Sequence, residues 1–305
     1  MKDVKVMPTT TGAKPFLNYD EQLALLRERG LIIANPAAAK ETLRKTNYYR
    51  FSAYSLTLRK DDVFYPQVTF EDIETLYHFD AEIRKIVFEF GSIAEIAARS
   101  YIAYYHAEKY GPLGYLNNQN FQSEQYHAAF LQKLYQALDK SSDPFVLHHR
   151  NEKGGVYPFW VAVEEITFGA LSLLYKNMLA EDRANIARTY YGIPRKYVEN
   201  AMQCAVVARN MAAHGGRFYN RKNLKPAVLL PVALERAGVK NDQSFAYLYA
   251  LYVLLPDEHR LTFINAIRHA FRKYSFAQPR YLGFPEDWEN LILQPGSARR
   301  LQNHQ

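Results

Sequence analysis

The sequence predicts an all-α fold, a multi-helix bundle with additional N- and C-terminal helices, on three observations. Apolar residues return every three or four positions over long stretches. Helix start and stop signals bracket those stretches. No convincing series of strands, internal repeat or Pro/Ser-rich linker interrupts them, and no glycine loop has the form of a P-loop or a dinucleotide turn. The 305-residue chain is 48% apolar, enough for a buried core.

Taken in order, residues 1–15 read as a loose tail. In "LNYDEQLALLRERG", Asn18 and Glu21 fit a capping box, Leu23 and Leu26 supply an apolar face, and Gly30 ends the helix. "ANPAAAKETLRKTNYYRFSAYS" repeats the logic with Asn35 as cap and Pro36 in the first turn. Asp61 and Asp62 give "LRKDDVFYPQ" turn chemistry that fits a small hairpin or a loop. Thr69 and Asp72 open the longest periodic stretch, with Ile73, Leu76, Ile83, Ile86, Val87, Phe90, Ile93 and Ile96 at helical spacing, Gly91 marking a close crossing or a bend, and Gly111-Pro112 as the stop. Ser123 opens a helix to about Asp139. "PFWVAVEEITFGALSLLYKNML" reads as one helix with an internal Gly169, and "AEDRANIARTYYG" as a short one. Pro194 starts the helix that runs into "VVARNMAAHGGRFYNR". "DQSFAYLYALYVLL" and "DEHRLTFINAIRHAFRKY" form a last pair broken at Pro256, and 296–305 read as a second tail. The expected total is eight to ten helices in a single domain over 16–295.

Composition narrows the partners. The formal charge is +7 and the pI about 9.2, a balance that favours polyanions. The 24 tyrosines suit packed helices with wet edges and also suit stacking on bases. One cysteine, Cys204, lies in an apolar run and reads as a core thiol, so a disulfide frame is excluded and a reducing, cytoplasmic setting is expected. No Cys/His cluster has metal-ligand spacing, so neither a metal nor a cofactor is expected, and His148 and His149 in "LHHR" read as a solvated tip. The N-terminus lacks the apolar core of a signal peptide, and no apolar run approaches the ~20 residues of a membrane span.

The chemistry gathers at "RNMAAHGGRFYNR". As helix, Arg209 and His214 lie roughly 140° apart around the axis, while Asn210 and His214, four residues apart, share a face. The arginine stem is long enough to wrap toward that edge. Gly215-Gly216 should end the helix just after His214, which leaves the imidazole beside free carbonyls, with small Ala212 and Ala213 giving access and Arg217, Tyr219, Asn220 and Arg221 on the exit loop. Such a set suits phosphodiester cleavage in RNA, where the 2′-OH attacks its own phosphate, histidine moves a proton and arginine offsets charge on the phosphorane. The plainer alternatives are a capping or core-edge histidine, and an arginine paired with Glu164 or Glu165. Spacing alone does not choose, since Arg99/His106 and Arg299/His304 share it.

The ordered blocks "KPFLNYDEQLALLRERGLII", "LRKTNYYRFSAYS", "FEDIETLYHFDAEIRKIV", "IAEIAARSYIAYYHAEKYG", "FWVAVEEITFGALSLLYKN", "RNMAAHGGRFYNR" and "YLGFPEDWENL" resemble the Abi-like family of bacterial abortive-infection proteins, of AbiD/AbiF type. That resemblance implies a HEPN-superfamily core, here roughly 69–222, whose mark is R-x(4–6)-H. It implies an RNase toxin or antiphage effector, related to the nuclease modules of type VI CRISPR effectors, held silent in some members by a small structured RNA. It also implies a homodimer in which two motifs meet in one groove. Arg209 and His214 match the motif and Asn210 the polar residue after the arginine. Gly215 stands where the family often has a second histidine.

Other residues carry weaker signals. Arg99/His106 fits the same spacing as a second half-site, against a packing role with Arg99 paired to Glu95. Arg268, Arg272, Lys273 and Arg280, interleaved with Phe271, Tyr274 and Tyr281, fit an RNA surface or a solvated basic face. The sequence therefore points to a metal-independent, dimeric endoribonuclease with Arg209, His214 and Asn210 as catalytic residues. Arg217, Tyr219, Arg221, Arg268, Arg272 and Lys273 are its expected RNA contacts, and no membrane is involved. The alternative is a helical protein that holds a structured RNA without cleaving it.

Overall fold

A computed structural model describes residues 15–293. The two expected tails, and with them Arg299/His304, lie outside the described residues apart from Pro15. The chain divides into two compact units at Tyr77/His78.

In the first unit, Asn18 caps α1 (Tyr19–Glu28) through a complete capping box with Glu21, and Asn35 caps α2 (Pro36–Thr46) by accepting from the Ala38 amide. After α3 (Tyr48–Ser52) and a short 3-10 turn, β1 (Arg59–Lys60) pairs antiparallel with β2 (Val63–Phe64). Asp61 and Asp62 both have positive φ, 49° and 65°, as a tight two-residue hairpin requires, so the hairpin reading holds over the loop. Leu23, Leu26, Leu43, Phe51 and Phe70 are buried, with Phe51 stacked on Phe70 at 4.5 Å. Thr69 and Asp72 exchange backbone-to-side-chain hydrogen bonds at the start of α4 (Phe70–Tyr110). The unit boundary falls within that helix.

The second unit is organised around α4 beyond the boundary and two later helices. α5 (Glu124–Lys140) is capped by Ser123, as expected. α6 (Pro144–Glu152) absorbs the "LHHR" segment into a helix, with His149 Nδ1 2.8 Å from the Val156 carbonyl oxygen. The run expected as one helix is two, α7 (Phe159–Ala162) and α8 (Phe168–Asn177), separated by an extended Ile166. The break has local causes: the Thr167 hydroxyl caps the Ala170 amide, and the Ile166 carbonyl accepts from Arg99. α9 (Ala180–Ile186) leads through a wider π turn to Gly192, and α10 (Arg195–Ala213) follows Pro194. α11 (Val232–Arg236) precedes α12 (Ser244–Leu254) and α13 (Asp257–Lys273), split at Pro256 as expected, and α14 (Trp288–Leu293) closes the described chain. The all-α expectation holds, with 14 α-helical segments, some single turns, and one small hairpin among the described residues.

Every residue of α12 is buried. A helix apolar on all sides belongs in the centre of a core, and α10 packs along it with α8 alongside. α13 runs antiparallel to α4, with Phe263 against Phe90 and Phe271 against Phe79. The buried stripe of α4 departs from the expected one at Ile96, which is 62% exposed, because Ala94, Ala98 and Ile102 take the inward positions.

Candidate functional site

The site begins at the crossing of α4 and α10. A Cβ added at Gly91 would stand 3.1 Å from both Cβ and Cγ of Arg209, so glycine is what lets the arginine stem lie against α4. One turn further along α4, the buried Glu95 takes the guanidinium, with Arg209 Nη2 3.0 Å from Oε2. The other oxygen of Glu95 accepts from Arg99 Nη2 at 2.6 Å. One inward carboxylate thus anchors two arginines and fixes their direction. Arg209 turns Nη1 to the exposed edge, where it donates to Asn210 Oδ1 at 3.2 Å.

Asn210 and His214 share a helix face, and both are exposed. The helix ends as the sequence predicts. His214 is the C-cap residue, Gly215 has φ +68°, its amide donates to the Ala212 carbonyl, and the Gly216 amide donates to Met211 at 2.6 Å. These two bonds form a Schellman motif. The His214 side chain is exposed, and no described residue hydrogen bonds its ring. The arrangement sets an exposed imidazole and a braced cation near one helix end.

The exit loop is held by hydrogen bonds from three elements. Asp80, fully buried on α4, accepts the backbone amides of Phe218 and Tyr219 at 2.9 and 2.7 Å, and its second oxygen takes Arg84 at 2.5 Å. Ser244 donates to the Phe218 carbonyl, and the Asn220 amide donates to Tyr281. Asp80 was not singled out in the sequence, and Glu95 was read there only as the helix partner of Arg99. Their signal was there: each is a carboxylate at a position where the apolar stripe of α4 calls for a hydrophobe.

The expected contacts separate into distinct groups. Tyr219 does not reach the surface: it is 1% exposed and packed on Phe79 and Tyr281, so its ring serves the core and not a base. Arg217 is half-buried and Arg221 exposed on the exit loop. Arg268 is engaged by both oxygens of Glu289 and by Asn265. Arg272 and Lys273 are exposed, with Lys273 3.7 Å from Glu82. Arg280 lies over the Tyr281 ring.

Arg99 and His106 part company. Arg99 joins the Glu95 cluster and reaches Glu164 at 3.5 Å, so the partner of Arg209 is Glu95 and not Glu164 or Glu165. Glu165 lies apart, its carboxyl raised above the usual range by burial and by Asp143 against hydrogen bonding from Ser141. His106 is fully buried among Tyr110, Phe121 and Phe159, with neither ring nitrogen hydrogen bonded. In that cage it meets no substrate. Cys204 is buried, as expected, and burial pushes its thiol up to about 12. Among the described residues no group of three or more His, Cys, Asp and Glu is set to hold a metal ion, and no helix is long and apolar enough to cross a membrane.

No curated protein and no solved structure matches the chain. A family model described as Abi-like protein does match, over residues 41–220, a stretch that holds Gly91, Glu95, Arg209, Asn210 and His214 together with the loop pinned by Asp80. The chain belongs to the Abi-like protein family.

Proposed function

We propose that this protein is an endoribonuclease of the abortive-infection type, built on a HEPN-like core, which cleaves RNA at the end of α10. The observation that carries the reading is the braced Arg209 beside Asn210 and the exposed, unpaired His214 ring. In this reading the ribose 2′-oxygen attacks the adjacent phosphorus. The P–O2′ bond forms and the P–O5′ bond breaks, leaving a 2′,3′-cyclic phosphate and a 5′-hydroxyl. His214 carries the proton between the 2′-OH and the departing 5′-oxygen. Arg209 offsets charge on the phosphorane oxygens through its Nη1 edge. Asn210 holds that edge and orients phosphate or imidazole. The attacking oxygen belongs to the substrate, so the step needs no metal-bound water. Two protomers would bring two His214 side chains to one basic groove, and a small structured RNA would restrain the enzyme.

The test is cleavage by purified wild-type, His214→Ala and Arg209→Ala proteins with EDTA present. Wild type should give cyclic-phosphate ends, and both variants should lose on the order of a hundredfold or more in rate while melting as wild type does. Identical RNA patterns from wild type and His214→Ala would reject the assignment, as would 3′-hydroxyl products. A wild type that binds RNA tightly but never cuts it would favour the non-catalytic reading.

A further inference from the structure

We propose that the N-terminal unit carries a separate single-stranded RNA site, a groove of about 1000 Å³ between α1, the α2–α3 junction and the hairpin. Bases would stack there on tyrosine rings, and phosphates would pair with arginine and lysine. The site lies in a different unit from the α10 motif and stands whether or not the chain cleaves RNA.

Three observations converge on it. The groove is lined by exposed rings, Tyr49 at 64% and Phe16 at 88%, with Tyr19 and Tyr48 beside them. Tyr48 and Tyr49 meet edge to face at 5.6 Å, so they present differently oriented surfaces. The backbone is bent to put them there. Asn47 adopts φ +67° between α2 and α3, and its side chain accepts from the Tyr49 amide. A non-glycine residue in the left-handed region costs free energy, and such strain gathers at functional sites.

The charge is one-sided. Among the described residues, Arg29, Arg44, Lys45 and Arg59 line the groove against a single carboxylate, Asp62. That carboxylate is already held by Arg29 at 3.2 Å and Arg59 at 2.8 Å. Among the described residues, Arg44 and Lys45 pair with Glu41 on their own helix, at 3.6 and 3.1 Å. Exposed pairs of that kind are weak, so a phosphate can displace them.

Rings interleaved with cations are the pattern of single-strand binding. A duplex keeps its bases stacked on each other and would leave the tyrosines unused. An acidic peptide would use the cations alone.

The experiment uses the full chain carrying His214→Ala, so that the probe stays intact, and a fluorescent oligouridylate. Tyr49→Ala should weaken binding by about tenfold, the usual weight of one stacked base. Lys45→Ala should lower affinity and flatten the salt dependence by about 0.7 in log–log slope. Both side chains are exposed, and thermal melts check that the fold survives. Ultraviolet cross-linking should place adducts on Tyr19, Tyr48 or Tyr49. Unchanged affinity in both variants overturns the proposal, as do adducts confined to other tyrosines. Equal competition by polyglutamate would also overturn it, assigning the groove to an acidic protein. Because the assay reads binding in a cleavage-dead protein, failure of the nuclease reading leaves its outcome intact.

Discussion

His106 and Glu95 show how differently two buried polar residues on α4 can act. Glu95 is satisfied on both oxygens by arginines, and its charge gives direction to Arg209. His106 has no hydrogen-bond partner among the described residues, and burial pushes its imidazole down to about 4, against the upward pull of the Asp182 carboxylate. Its folded value therefore lies below the ordinary 6.5 of the unfolded chain, and between those values the unfolded state binds the extra proton. The stability tied to the neutral ring is fully present above pH 6.5 and is lost as pH falls toward 4. The full difference corresponds to roughly 3 kcal/mol. His106→Leu removes the titrating group and its orphaned nitrogens while keeping an apolar side chain in the cage. Urea unfolding at pH 7 and pH 4.5 checks this. The variant should match wild type at pH 7 and exceed it by a few kcal/mol at pH 4.5. An equal acid loss in both proteins would show that other groups drive it.

Between elements, the crossing of α4 and α10 decides whether Arg209 is aimed. Gly91→Ala brings two opposed effects. Alanine favours the helix interior by about 1 kcal/mol over glycine, while its methyl would stand 3.1 Å from the Arg209 stem and push it aside. The fold should keep its melting temperature, and RNA cleavage should fall by about ten- to a hundredfold, the cost of a small misplacement of a catalytic group. Unchanged cleavage would mean that the Arg209 stem needs no such room. The crossing also marks what the sequence made legible. Caps at Asn18, Asn35, Thr69 and Ser123, and the Gly215 stop, are local chemistry, written in adjacent residues and readable there. The break at Ile166 was not, because Arg99, 67 positions away, helps hold it. Glu95 was read as a helix neighbour of Arg99, while its hold on Arg209 crosses 114 positions. Tyr219 looked like a stacking residue because aromatic-next-to-arginine reads the same in a loop whether the ring faces water or a core. Its inward setting comes from distant residues, with Asp80, 139 positions away, accepting its amide and Phe79 and Tyr281 packed on the ring.

For the whole molecule, the formal charge of +7 favours polyanions in general, but charge does not say how many protomers build the proposed site. A single α10 end presents one His214, whereas the cleavage needs a proton taken from the 2′-oxygen and one given to the 5′-oxygen. One imidazole can do both in sequence. Two can do them at once, and the proposed groove between matching subunits supplies the second. These alternatives separate in a mixing experiment. Wild-type and His214→Ala chains are coexpressed in equal amounts under different tags and purified together, and activity is compared with wild type at the same total concentration. If chains pair at random through a self-complementary interface and both histidines are required, about a quarter of the dimers keep full activity. If each protomer works alone, activity falls only to about half. The fraction carrying both tags should then be nearly inactive in the first case and half-active in the second. A half-active mixed fraction would assign both proton transfers to one His214, and a mixed fraction that never forms would remove the dimer from the mechanism altogether.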